Sequence, residues 1–192
     1  MSIVVTVRKG DEIVMAADSQ ISFGSMRVPE DNLQVSKIRV IGSSLFSSAG
    51  WALYDDILNH YLNKNPDIKL DEPQAIFNFF VDLWKELHER YNFVNDQCGE
   101  EKDSPFGDLD SSFLIASANG LFHVGSDLSV TSFERYYAIG SGADYSLGAL
   151  YTLYHQDLDA RTIAERAVLA AIAFDTKCGG DILVKSVHDL LG

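Results

Sequence analysis

The sequence predicts an α+β fold of four layers, two stacked antiparallel sheets between two layers of helices, and three observations carry that expectation. Short runs of β-branched and aromatic residues bounded by turn residues come in pairs, as the arms of hairpins do. Longer stretches with apolar residues at helical spacing come in pairs as well. Their order along the chain is four strands, two helices, four strands, two helices and one strand, which suits sheets facing each other with helices covering both outer faces. At 192 residues and 46% apolar content, the chain is expected to form one domain, residues 1–192, with a good-sized core.

The first arms, Met1–Arg8 and Glu12–Ser19, flank Lys9-Gly10-Asp11 and read as an antiparallel hairpin. Its start carries the first chemical signal. Once Met1 is removed, Ser2 holds a hydroxyl and a free α-amine on one residue, a nucleophile beside its own base. An α-amine titrates near pH 8, roughly two units below a lysine, so part of it is unprotonated at neutral pH. Asp18 ends the return arm across from the N-terminus, where a carboxylate can hold a cation beside the nucleophile. The bland alternative is an edge hairpin that begins with an unstructured Met-Ser. Residues 21–32, with Gly24 and Pro29, read as a loop.

A second hairpin follows, Gln34–Ile41 and Ser44–Ala49 joined by Gly42-Ser43. Lys37 stands among Val35, Ile38, Val40 and Ile41, where burying a lysine is costly unless it meets a carboxylate. Asp18 is a candidate partner, and a solvent-facing lysine is the plainer alternative. At the junction Ala49-Gly50-Trp51, a glycine frees the backbone so that an N–H can face a ligand at a helix start, the donor an oxyanion needs. Turn geometry alone also explains a glycine there.

From Trp51 the residues Leu53, Ile57, Tyr61 and Leu62 fall at helical spacing. A second helix is expected from Asp71, capped by that residue with Gln74 closing the box, through Phe79, Leu83, Leu87 and Tyr91. Residues 92–110 read as an exposed acidic loop without calcium-loop spacing. Strands then return in two pairs, Phe113–Ala118 with Leu121–Val124 about Asn119-Gly120, and Ser129–Ser132 with Tyr136–Ile139. Gly140-Ser141-Gly142 opens a third helix, Asp159 caps a fourth from Ala160 to about Asp175, and Ile182–Val187 is the last strand.

Composition narrows the chemistry. With 15 basic and 28 acidic side chains the net charge is −13, which argues against nucleic-acid and anionic-membrane binding. Cys98 and Cys178 match no zinc spacing and suit free thiols in a reducing compartment. No signal peptide or membrane span is evident, so a cytoplasmic protein that needs no cofactor and no metal is the expectation.

Six segments, each ordinary alone, occur in one order: Ser2-Ile-Val-Val-Thr-Val, Ala16-Ala-Asp-Ser-Gln20, Val35-Ser-Lys-Ile38, Ala49-Gly50, Ala138-Ile-Gly-Ser-Gly142 and Asp175-Thr-Lys-Cys-Gly-Gly180. Together they resemble the proteasome β-type subunits of the N-terminal nucleophile hydrolases, nearest the bacterial branch that includes the HslV protease, over nearly the whole chain. The resemblance implies the αββα sandwich of those hydrolases and a self-compartmentalised threonine-protease-like peptidase acting through Ser2. Lys37 would lower the hydroxyl pKa, Asp18 would hold the lysine, and the Gly50 N–H would serve the oxyanion. Ser141 would bond the α-amine with Asp175 behind it. Ile21, Val35, Ser48 and Ala52 would line the cleft for the side chain before the scissile bond, and their lack of charge implies apolar rather than acidic residues there.

The resemblance further implies a peptide or unfolded-protein substrate, homo-oligomeric stacked rings and an unfoldase ATPase as partner. Trp51, Phe79, Phe80, Trp84 and Tyr91 are read as aromatic surface for ring contacts. The chain departs from the family pattern at Ser2, usually threonine, at Cys178, usually serine, and in a longer acidic insert. Those departures keep two alternatives open, a weakly catalytic structural ring and an amidase or cysteine hydrolase using Cys178.

Overall fold

Strands β1 (Ile3–Lys9) and β2 (Glu12–Asp18) form the predicted hairpin and the centre of the first sheet. The computed structural model describes residues 2–23, 26–28, 36–50, 52–91, 109 and 111–190, apart from the side chains of Phe23, Ala52 and Tyr54. A strand buried on both faces must satisfy its backbone on both edges. β1 does so with β2 on one side and β10 (Tyr136–Gly140) on the other, and β2 pairs onward with β11 (Ile182–Ser186), giving the order β10-β1-β2-β11. All neighbours run antiparallel.

The second sheet is also antiparallel, in the order β5 (Arg39–Ile41), β6 (Ser44–Ala49), β7 (Ser112–Ser117), β8 (Gly120–Val124) and β9 (Val130–Phe133). Helices α1 (Ala52–Lys64) and α2 (Pro73–Arg90) cover it, while α3 (Ala143–Leu153) and α4 (Ala160–Phe174) cover the first sheet. Three apolar clusters show the layering. One joins α1 and α2 to the second sheet through Phe46, Phe80 and Phe113, and another joins α3 and α4 to Ile3, Val5 and Val7. The third lies between the sheets, where Val4, Met15, Ala17, Leu45 and Leu114 meet. Alternate residues of β1 thus enter different clusters, as the two-residue strand period requires. This is the predicted αββα sandwich.

Four expectations are corrected. Within residues 21–32, expected as loop, β3 (Ile21–Phe23) and β4 (Met26–Val28) pair as a small separate sheet. Runs of three residues are too short to show an alternating pattern. The strand expected over Gln34–Ile41 begins only at Arg39, with residues 36–38 outside any strand. The N-cap position of α2 is Glu72 rather than Asp71, because Pro73 occupies the first helical position; the Glu72 side chain makes no capping bond, and Gln74 Nε2 donates to Asn78 Oδ1 at 3.0 Å. Finally, β9 and β10 are not a hairpin. β9 pairs with β8, and the bend at Glu134-Arg135 carries the chain to the other sheet, where β10 meets the open edge of β1.

The aromatic residues expected on the surface are largely core: Phe79 is 6% exposed and Phe80 0%, and Trp84 and Tyr91 pack on the same cluster. Trp51 and the acidic segment 92–108 lie outside the described residues. Among the described residues no helix is long and apolar enough to cross a membrane.

Candidate active site

Asp18 is the hub. It ends β2 with 0% exposure, so its carboxylate needs partners, and three donors supply them. Lys37 Nζ donates to Oδ1 at 2.6 Å, the backbone N–H of Ile3 donates to the same oxygen at 3.0 Å, and the N–H of Gly179 donates to Oδ2 at 3.0 Å. The Lys37 side chain is only 10% exposed. Burial lowers its pKa, while attraction and hydrogen bonding to Asp18 work in the opposite direction. A buried pair of this kind adds little net stability as a unit, but loss of one partner strands the other charge, at roughly 3–5 kcal/mol.

Ser2 precedes β1 and is buried, 9% exposed. Its neighbour Ile3 is the residue bonded to Asp18, so one carboxylate ties the backbone beside Ser2 to the lysine. On the other side Gly140 pairs with Ile3. Gly140 has φ +104, and a Cβ there would strike the carbonyl oxygen of Ser2. Only glycine allows β10 to lie this close to the start of the chain.

Ser141, Asp175 and Cys178 form a second group next to it. The Cys178 thiol donates to Asp175 Oδ2 at 3.4 Å, and the Lys177 N–H donates to Oδ1 at 3.0 Å. Burial works to raise the Asp175 carboxyl, but hydrogen bonds from Ser141, Lys177 and Cys178 outweigh it and hold the pKa below the ordinary range. The Cys178 thiol is pushed from an ordinary 9.0 up to about 12, first by burial and then by the charges of Asp18 and Asp175. A neutral buried thiol is a poor nucleophile. Cys178 lies near enough to Lys37 for an ionised thiol to raise the lysine's pKa, which places the two groups side by side.

The structure therefore brings Ser2, Asp18, Lys37, Ser141, Asp175 and Cys178 to one end of the first sheet. Gly50 lies just past the end of β6, exposed and ahead of α1. Of the four expected cleft residues, Val35 and the side chain of Ala52 lie outside the described set. Ile21 pairs with Val28 in the small sheet. Ser48 Oγ donates to Asp55 Oδ1 at 2.8 Å, and Arg39 pairs with the same carboxylate at 3.2 Å, so a charged network stands behind Ser48.

Sequence reasoning missed the Gly179 donor and the Arg39–Asp55 pair. The first was within reach, because Gly179-Gly180 follows Cys178 in a segment already singled out and a buried Asp18 demands more donors than one lysine.

No family model matches the chain. It is 28% identical over 169 residues to the ATP-dependent protease subunit HslV of Bartonella quintana (strain Toulouse), an alignment covering 86% of this chain and 78% of that one. Among solved structures, Thiobacillus denitrificans BPH in complex with epoxomicin is 29% identical with a TM-score of 0.86, covering 96% of this chain and 97% of that one. Eukaryotic HslV from Trypanosoma brucei, 20% identical with a TM-score of 0.69 over 96% and 98% of the two chains, shares the fold. The chain is a homologue of HslV-type proteasome β-type subunits over most of its length and has the N-terminal nucleophile hydrolase fold.

Proposed function

We propose that the chain is a peptidase subunit that hydrolyses peptide bonds with Ser2 as nucleophile, once Met1 has been removed. The observation that carries this reading is the shared Asp18 carboxylate, which joins the Lys37 ammonium to the backbone beside Ser2 inside a buried site. The α-amine of Ser2 takes the hydroxyl proton as Oγ adds to the substrate carbonyl. The Lys37 charge favours the alkoxide, and the Gly50 N–H donates to the tetrahedral oxyanion, a contact worth about 3–4 kcal/mol of barrier. The protonated amine then gives its proton to the leaving nitrogen, the C–N bond breaks, and water cleaves the remaining ester by the same steps in reverse roles. Ser141, which is hydrogen-bonded to Asp175, is assigned the role of orienting the amine.

Relatives named as subunits of an ATP-dependent protease support a homo-oligomer of stacked rings fed by an unfoldase ATPase. Surface for subunit contacts is available on α3 and α4, where Tyr151, Leu169 and Phe174 are exposed by 70%, 52% and 72%. Sedimentation gives a mass several-fold above 21.2 kDa if the rings form. A cysteine mechanism is disfavoured by the neutral, buried Cys178 thiol.

Epoxomicin tests the reading directly. An epoxyketone offers a ketone to the hydroxyl and an epoxide to the amine, so stable capture requires both groups on one residue. Intact mass should show one inhibitor per chain lacking Met1, and none on Ser2→Ala. A chain that retains Met1 yet cleaves peptides overturns the proposed base.

A further inference from the structure

The segment that carries Lys37 has no sheet to hold it. Residues 36–38 lie outside any strand, β5 starting only at Arg39, yet the Lys37 ammonium must meet Asp18 at 2.6 Å. Side chains supply the missing restraint. Ser47 Oγ on β6 donates to the Lys37 carbonyl at 2.7 Å; the Ile38 carbonyl accepts from Ser36 Oγ within the segment at 2.9 Å and from Lys185 Nζ, the donor from the other sheet, at 3.0 Å. Ile38 itself is 0% exposed, wedged between the sheets.

Lys185 is the informative one. It sits half-buried on β11, the strand that pairs Ile182 with Asp18 and Lys185 with Met15 on β2. Its ammonium therefore runs from the sheet that bears Asp18 to the backbone beside Lys37. Among the described residues no carboxylate pairs with it. A half-buried lysine without a counter-ion stabilises a fold less than an aliphatic residue of similar size would. A charge-assisted bond to a carbonyl, however, is short and directional, which suits holding one peptide in place.

We propose that Lys185 is a positioning residue for the Lys37–Asp18 pair, fixing the distance between the two sheets at the point where the lysine must reach the carboxylate. The inference rests on the reading of Lys37 as the cation beside Ser2. A loosened segment leaves substrate binding intact but misplaces the charge that activates the hydroxyl, so the loss falls on the chemical step.

The experiment measures the rate constant for covalent capture of Ser2 by epoxomicin, by intact mass, together with peptide kcat and KM, in the assembled protein lacking Met1. Lys185→Met should lower kcat and the capture rate roughly tenfold with KM within about twofold. The alkaline shift of the kcat/KM pH profile that follows weakened activation should accompany it. Lys185→Arg, which keeps a donor, should restore both rates to within about threefold. Should Lys185→Met melt below the assay temperature, Lys185→Gln, one bond shorter with a polar head, reads the same loss. Wild-type kcat and pH profile in the apolar or shortened variant overturn the proposal, as does a loss that Lys185→Arg does not recover. Ser2→Ala separates the two readings: if it still turns over peptide, the Ser2 mechanism itself has failed, whereas an inert Ser2→Ala beside an unaffected Lys185→Met removes only the role of Lys185.

Discussion

The two helix layers of the sandwich are built from different materials. Against the second sheet, α2 buries Ile76, Phe79, Phe80, Leu83 and Leu87, and the rings of Phe46, Phe80 and Phe113 meet with centroids 4.7–6.5 Å apart. Against the first sheet, α4 buries Ala160, Ala164, Ala167 and Ala171 with Ile163 and Val168. Large rings remove much apolar area from water per residue. Small side chains let backbones approach closely, so any displacement is felt at once. The site belongs to the second kind of layer: a Cβ on Gly142 would lie 2.6 Å from the Ala171 Cβ and 2.9 Å from Cys178 Sγ. Closeness fixes the backbone where Ser2, Ser141 and Cys178 converge, while the aromatic layer supplies bulk stability.

That contrast can be broken by experiment. The largest effect should come from the close-packed half without any change in stability: Ser2→Ala is expected to lower peptide hydrolysis by roughly 10⁴-fold or more, with an unchanged melting temperature, checked by initial rates beside a thermal melt. In the aromatic half the effect should be purely structural. Phe80→Ala should cost about 3–5 kcal/mol in urea unfolding, while kcat per titrated active site stays within about threefold of wild type. A much larger loss of kcat would mean that the aromatic layer also shapes the site.

Gly142→Ala should lie between these. Overpacking costs about 1–3 kcal/mol, but displacing the Ser141–Cys178 region should reduce kcat by roughly tenfold, so activity falls further than stability, as parallel unfolding and kinetic measurements would show. At neutral pH the smallest effect is that of Cys178, which shows itself only in alkali. Its folded pKa is raised from 9.0 to about 12, so between those values the folded state keeps a proton that the unfolded state releases. Stability from this group is present below pH 9 and lost as pH rises toward about 12. Cys178→Ser removes the titration, and a urea-midpoint series against pH should lose that part of its slope.

Much of the site was legible because its residues carry chemistry that local context makes unusual. A serine that becomes the first residue, an aspartate closing the return strand and a lysine among Ile38, Val40 and Ile41 each raise a question in physical terms. The ion pair between Asp18 and Lys37 answers two of them at once. The cleft was less legible. Ser48 looked small and neutral, and nothing near it in sequence announces that its hydroxyl is committed to Asp55 with Arg39 behind. The aromatic residues of α2 read as surplus surface because residue type does not reveal how much area the facing sheet can cover, and Phe79 and Phe80 proved to be core.

The sequence by itself determined the elements with strong periodicity, the hairpin β1–β2 with its positive-φ Gly10, the four helices and the identity of the groups that can do chemistry. These follow from turn geometry and side-chain spacing within a few residues. Only the tertiary structure decided that β10 pairs with β1 in the first sheet rather than with β9, that Gly179 supplies a donor to Asp18 from 161 residues away, and that Lys185 reaches Ile38 across 147. Each of those contacts satisfies a buried polar group through a partner distant in sequence. A demand for a hydrogen bond can be read from one residue, but its supplier is fixed only when both sheets are in place.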